Sequence, residues 1–186
     1  MGVVAIPASE KSRIAHINRA YVSTVLNLHR QGLHSYLLSR FDLSEEMLDE
    51  LAGLSESALD SLILDMNTTL FGLELDASWV GLLLEDNSAE ALQWMQVQVT
   101  GAAQGDAFVA LVLQELGVSN IHSDSTAYRF NCSQALADQL SLINPLKLSA
   151  LAAHSKTMLR ARFTRNHLMA AEVSTSLPIG LLMSLR

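Results

Sequence analysis

Two stretches of this chain, residues 41–70 and 130–159, carry one pattern at a constant spacing of 89 residues, without a gap. Each predicts a helix, a tight turn, a second helix and a short strand, in that order. The repeat predicts an internal duplication, although two unrelated amphipathic helices would also share several leucines. The identical pairs are Phe41 and Phe130, Ser44 and Ser133, Asp49 and Asp138, Leu51 and Leu140, Leu59 and Leu148, Leu62 and Leu151, Thr68 and Thr157, and Leu70 and Leu159.

Capping signals predict where the helices of both units begin. Asp42 is followed three residues later by Glu45, which resembles a capping box and predicts a helix starting at that point. Ser55 is expected to cap the next helix. In the second unit, Asn144 and Pro145 supply an N-cap and a first helical residue.

Helices are also predicted ahead of each unit. Apolar residues recur at three- and four-residue steps from Ile14 to Leu28, which indicates one face of a long amphipathic helix with a bend at Gly32. The apolar segment 108–116 predicts another helix, and we expect Gly117 to end it.

Each unit ends in a segment with a two-residue period, which predicts a half-buried strand. An isolated strand has unpaired backbone groups, so we expect 70–75 to pair with its copy at 158–163, within the chain or across a dimer. That pairing would place Glu74 near Arg160 or Arg162; the alternative is that both segments stay irregular and solvated. The predicted inward residues are Phe71 and Leu73 in the first strand, and Leu159, Ala161 and Phe163 in the second.

The two halves of the chain differ in charge. Residues 1–90 hold 5 Lys and Arg against 14 Asp and Glu, a net charge of −9, whereas residues 91–186 hold 7 against 5, a net charge of +2. Opposite charges indicate either complementarity between the halves or a different partner for each half. The alternative is drift on solvated surfaces.

The repeated unit resembles the FlhD family, subunits of the bacterial flagellar master regulator and of related activators on conjugative elements. The resemblance rests on "FDLSEEMLDELAGLSESALDSL" and "LINPLKLSALAAHSKTMLRARF", and on "INRAYVSTVLNLHRQGLHSYLLSRF" at residues 17–41, which is similar to that family's long N-terminal helix. It implies an α-helical protein that associates with its own copies and with an FlhC-like DNA-binding partner to activate transcription. This chain differs in carrying the unit twice, in its length, and in lacking the cysteine that the family often has in the strand.

Together these observations predict a mainly α fold: a helical bundle of two FlhD-like helix–turn–helix–strand units with a short β-ribbon, arranged as a pseudo-dimer. Residues 100–106 are the most linker-like stretch. We therefore expect an acidic first unit at residues 1–99 and a diverged second unit at residues 100–186, whose basic segment is 147–165.

The expected function is a non-enzymatic regulatory subunit acting in a complex with an FlhC-like protein. The alternative is a helical protein–protein adaptor or chaperone-like protein with no DNA role. A net charge of −7 argues against tight DNA binding by the chain alone, so DNA contact is expected within the complex. The candidate DNA contacts are Lys156, Arg160, Arg162 and Arg165; the candidate partner or interface residues are Trp79, Trp94, Phe71, Leu73, Leu159 and Phe163.

Other classes of site have little support in the sequence. Cys132 is the only cysteine, and none of the six histidines has metal-ligand spacing with an acidic residue. We therefore expect no catalytic residue, no metal and no cofactor. The start of the chain lacks the pattern of a secretory signal, and the longest nearly uncharged apolar run is residues 107–113. A cytoplasmic, self-associating protein without a membrane segment is the expectation.

Overall fold

A computed structural model describes residues 8–66, 68–75, 80–81, 84, 103–120, 126–154 and 157–176. The described residues are mainly helical and include one two-stranded sheet. This confirms the prediction of a mainly α fold with a short β-ribbon. The first half contains α1 (Ala8–Arg30), α2 (His34–Phe41), α3 (Glu45–Gly53), α4 (Glu56–Asp65) and β1 (Phe71–Glu74). The second contains α5 (Ala103–Asn120), α6 (Thr126–Arg129), α7 (Gln134–Ser141), α8 (Pro145–Ala153), β2 (Met158–Ala161) and α9 (Arg165–Ser176).

Serine side chains cap α3 in the first half and α7 in the second. Ser44 Oγ accepts a hydrogen bond from the backbone N–H of Met47 at 3.3 Å, and Ser133 Oγ accepts one from Leu136 at 3.2 Å. Each bond satisfies a helix N–H that has no partner within the helix. Ser44 and Ser133 are an identical pair of the sequence repeat, so the repeat extends to local structure.

The predicted capping box at Asp42 is wrong, because Asp42 ends the preceding helix instead of opening the next. It adopts the left-handed conformation at φ 55°, and its N–H donates to the carbonyl of Leu37. Asn131, 89 residues later, has φ 50°. Asp and Asn tolerate this conformation better than other residues with a Cβ, because their short polar side chains bond locally.

Gly117 does not end its helix, contrary to the prediction. Helix α5 continues to Asn120, and a Cβ atom at Gly117 would lie 3.2 Å from the carbonyl oxygen of Leu140 on α7. The absence of a side chain therefore allows two helices to approach closely, which is a packing role. The linker-like stretch is likewise partly helical, because residues 103–106 form the first turn of α5.

One aromatic cluster joins both halves. Tyr21 of α1 is fully buried at its centre, and its ring centroid lies 4.9 Å from that of Phe71 and 5.8 Å from that of Phe41. From the second half, Phe108 and Phe163 approach the same ring at 6.0 Å and 6.4 Å. Burying such side chains stabilises a fold by about 1.5–3 kcal/mol each. Both halves of the chain thus contribute to one core.

Candidate interface site at the central ribbon

Strands β1 and β2 form an antiparallel ribbon between the two halves of the chain. In its register, Gly72 lies opposite Arg160 and Leu73 opposite Leu159. The N–H of Arg162 extends the ladder by donating to the Leu70 carbonyl at 2.8 Å. The predicted pairing of segments 70–75 and 158–163 is confirmed, and it occurs within one chain.

The two left-handed residues each approach the strand of the opposite half. Asp42 Oδ2 lies 3.3 Å from Nε of Arg160 on β2. Asn131 covers Gly72 on β1 so closely that a Cβ there would lie 2.9 Å from Asn131 Nδ2. The N–H of Leu73, on the outer edge of β1, donates to the Phe130 carbonyl at 2.9 Å. Each half therefore contacts the strand of the other half, on both sides of the ribbon.

Arg160 lies on the outward face of the ribbon between two carboxylates. Its Nη2 is 2.9 Å from Glu74 Oε2, in addition to the contact with Asp42. The predicted approach of Glu74 to Arg160 is thus confirmed. Because the arginine side chain is 57% exposed, solvent screens this pair and its contribution is about 0.2–1 kcal/mol.

Arg162 is held differently from Arg160. Its Nη1 donates to the backbone carbonyl of Arg129 at 3.3 Å. It also borders a shallow pocket of about 210 Å³ on the outward face, together with Gly72, Glu74 and Asn131. Among the residues that the structure describes, no carboxylate lies within 4 Å of Arg162. Lys156, the remaining basic candidate in this stretch, lies outside the described residues.

Arg165 joins α9 to α3 of the acidic half. Its Nε lies 2.6 Å from Glu50 Oε1, and its Nη1 lies 3.0 Å from Glu46 Oε1. Arg165 is 63% exposed, so each pair is worth little by itself. Arg160 and Arg165 both form ion pairs with acidic residues of the same chain. To bind a phosphate group, each arginine would first have to break these ion pairs.

The predicted apolar interface residues lie in the chain's own core. Phe71, Leu73, Leu159 and Phe163 are all buried, on the face of the ribbon that contacts the aromatic cluster. They pack between the two halves of one chain and are shielded from solvent. The other two anchors of this group, Trp79 and Trp94, lie outside the described residues.

A buried arginine forms a second connection between the halves. Arg40 of α2 is 1% exposed and donates to the carbonyls of Ala152 and Ala153 at the C-terminal end of α8. A cation suits this end of a helix, where carbonyl groups carry partial negative charge. Arg40 also lies 3.6 Å from Asp106 of α5, which accepts a hydrogen bond from Tyr36 at 2.8 Å.

The burial of Tyr36 beside Asp106 favours the neutral phenol. Burial raises the pKa of the Tyr36 hydroxyl, and the hydrogen bond to Asp106 raises it further. The hydroxyl therefore stays a hydrogen-bond donor over the physiological range. Tyr36, Arg40 and Asp106 together form a polar contact that spans the two halves.

The sequence interpretation did not identify Arg40 as a structural residue, although a signal was present. The tripeptides Arg-Phe-Asp at 40–42 and Arg-Phe-Asn at 129–131 are 89 residues apart. Both arginines are buried, and Arg129 pairs with Glu10. A second residue that was missed is Asn18 of α1, whose Oδ1 accepts from the Leu70 N–H at 2.8 Å just before β1. A polar residue on an apolar helix face was its only signal.

The described residues show no metal-binding arrangement. Within them, no group of three His, Cys, Asp or Glu side chains is placed to hold a metal ion. His29 and His34 stack with ring centroids 4.9 Å apart, and each contacts one acidic residue of α3. Burial raises the pKa of the Cys132 thiol to about 11, so it stays protonated and a poor nucleophile near neutral pH.

No described helix combines the length and the hydropathy that crossing a bilayer requires. What the ribbon region offers chemically is a set of exposed ion pairs above a buried apolar face. Comparisons of this chain with protein-family models, with curated proteins and with solved structures gave no match.

Proposed function

We propose that this chain is a non-enzymatic regulatory subunit that acts in a complex with an FlhC-like DNA-binding protein. In this proposal, one chain supplies the two FlhD-like units that separate copies would otherwise provide, and it also associates with further copies of itself. The observation that carries the proposal is the ribbon, in which the strand of one repeat pairs with the strand of the other.

The local repeats support the pseudo-dimeric part of the proposal. The serine caps and the left-handed residues recur at the same spacing of 89, and each left-handed residue contacts the strand of the opposite half. A homodimer must present the same charge on both copies of a surface, because its interface is self-complementary. Fusion of two copies removes that constraint, so that one unit becomes acidic and the other basic.

The state of the basic residues supports contact with DNA through a partner. Arg160 and Arg165 are occupied by carboxylates of the same chain, and Arg162 by a backbone carbonyl. The chain as a whole carries a net charge of −7, which repels a polyanion. The sequence-dependent contacts to DNA are therefore assigned to the FlhC-like subunit.

The test of this assignment is complex formation. The purified chain is mixed with a purified FlhC-like protein, and light scattering coupled to size exclusion measures the mass of the product. The proposal expects one stable complex. If the mixture elutes as two unchanged components over a range of concentrations, the assignment of an FlhC-like partner is wrong.

The same ion pairs also favour a second function, a protein–protein adaptor or chaperone-like protein with no DNA role. If Arg160 and Arg165 are permanently occupied by acids, the chain has little charge to offer a nucleic acid. An adaptor would bind its partner without changing the affinity of any complex for promoter DNA. The regulatory function instead requires that adding the chain changes that affinity.

A further inference from the structure

Two of the described helices, α9 and α1, flank the outer surface of α4, one on each side. On one side, Ser61 Oγ lies 3.3 Å from Ser174 Oγ of α9. On the other, Arg19 of α1 lies 2.7 Å from Asp60. Leu64 follows Asp60 by four residues and Ser61 by three, so on the helix surface it is next to both. Leu64 is 61% exposed, so its side chain projects into solvent between α9 and α1.

The side of Leu64 toward α1 is concave. A groove of about 450 Å³ separates α1 from α4. Its lining is apolar at the base and cationic at the rim, in the half of the chain whose net charge is −9. The base residues are Ile14, Ala15, Ile63 and Met66, and the cationic rim residues are Lys11 and Arg19.

The side of Leu64 toward α9 is convex. Met169 and Val173 are four residues apart, so they lie one turn apart on the same side of α9, and they are 59% and 54% exposed. Glu172 is exposed beside them and is the only acidic residue of that helix. Single exposed apolar side chains are ordinary, but three on adjoining helices beside an apolar groove make a surface suited to docking.

We propose that two copies of this chain dimerise through this surface, with a two-fold axis at Leu64. A two-fold axis brings the two sides of one surface onto the opposite sides of its copy. The Met169–Val173 ridge of each copy would then enter the groove between α1 and α4 of the other, and Leu64 would contact its own equivalent. Glu172 would meet the cationic rim at Lys11, which is the charge complementarity that selects a second copy as the occupant.

This inference names the surface for the self-association that the proposed function includes, and it is independent of the FlhC-like partner. Analytical ultracentrifugation of the full chain measures the dimer dissociation constant. We expect Leu64→Glu and Met169→Glu each to raise this constant by about tenfold or more, as for residues at the centre of an interface. Leu38→Glu is the matched control, because Leu38 is a 57% exposed leucine on α2.

Charge exchange tests the two-fold geometry itself. Lys11→Glu and Glu172→Lys should each weaken the homodimer, because each places like charges together twice. An equimolar mixture of the two variants should dimerise again, since both contacts in the mixed dimer then join opposite charges. Circular dichroism checks that each variant keeps its helical content.

The outcomes separate the possibilities. A strictly monomeric wild-type chain at high concentration overturns the inference, and so does a dimer that Leu64→Glu and Met169→Glu leave intact. A dimer that Leu38→Glu weakens as much as Leu64→Glu also overturns it. Complex formation with the FlhC-like protein is measured separately, so loss of this dimer would leave that result standing.

Discussion

Glu74 on β1 and Arg160 on β2 form an ion pair across the ribbon, with 2.9 Å between Oε2 and Nη2. Because Arg160 lies opposite Gly72, Glu74 is its diagonal neighbour on the same face of the ribbon. The acidic half and the basic half of the chain thus meet through complementary charges. Some of the opposite charges of the two halves therefore form ion pairs within the chain.

This pair predicts a measurable coupling. Arg160→Glu should lower the free energy of unfolding, and adding Glu74→Lys should restore about 0.2–1 kcal/mol, because the reversed charges attract again. Urea unfolding of the wild type, both single variants and the double variant gives the coupling energy. As a control, Arg19→Glu with Glu74→Lys should be additive, since Arg19 pairs with Asp60. An additive result for Arg160 and Glu74 would mean that their contact has no energetic weight.

Arg40 should be one of the most sensitive charged residues of the chain. Arg40→Met removes the donors to the carbonyls at the end of α8 and leaves Asp106 without its cation, so we expect a loss of about 3 kcal/mol in unfolding free energy. Arg30→Met, on an exposed arginine, should change it by no more than about 0.5 kcal/mol. Equal effects at the two positions in urea unfolding would contradict this account of Arg40.

At the two left-handed residues we expect glycine to be more stabilising than alanine, the reverse of the order within a helix. At Asp42 and at Asn131, the glycine variant should be more stable than the alanine variant by about 1 kcal/mol, because alanine is strained at positive φ. At Ala52, an exposed residue within α3, glycine should instead be less stable than alanine by about 0.5–1 kcal/mol. Thermal unfolding of the variants checks the sign at each position. Alanine as the more stable variant at both 42 and 131 would rule out the left-handed turns.

Cys132 predicts a dependence of stability on alkaline pH. Its folded-state pKa is raised from 9.0 to about 11 by burial, so between these values the unfolded chain binds fewer protons than the folded one. Stability should therefore fall as pH rises through this window, and Cys132→Ala should fall less steeply. Unfolding midpoints of both proteins across the window make the comparison. Parallel curves would show that the thiol titrates equally in both states.

Much of the first-order fold could be predicted from the sequence. The strand pairing, the Ser55 cap and the start of α8 at Pro145 follow from period and cap chemistry, which act over a few residues. The capping box at Asp42 was wrong because two residues, Asp42 and Ser44, both have cap-forming side chains. Only the Leu37 carbonyl, which accepts from Asp42, decides between them.

The missed features depend on contacts between distant parts of the chain. Gly117 has the sequence signature of a helix end, and only the approach of α7 explains its place inside α5. From the sequence alone, Arg40 would be expected on the surface. Its burial depends on carbonyl groups at the end of α8, up to 113 residues further along the chain. The groove beside Leu64 likewise forms between α1 and α4, two helices distant in the sequence, so no local pattern specifies it.

The proposed regulatory function is tested by promoter DNA binding at several salt concentrations. The chain alone, the FlhC-like protein alone and their mixture are compared by fluorescence anisotropy. We expect weak, non-specific binding by the chain alone, and tighter, sequence-specific binding by the mixture than by the FlhC-like protein alone. Tight sequence-specific binding by the chain alone, or a mixture that binds no better than the FlhC-like protein, would contradict the proposed function.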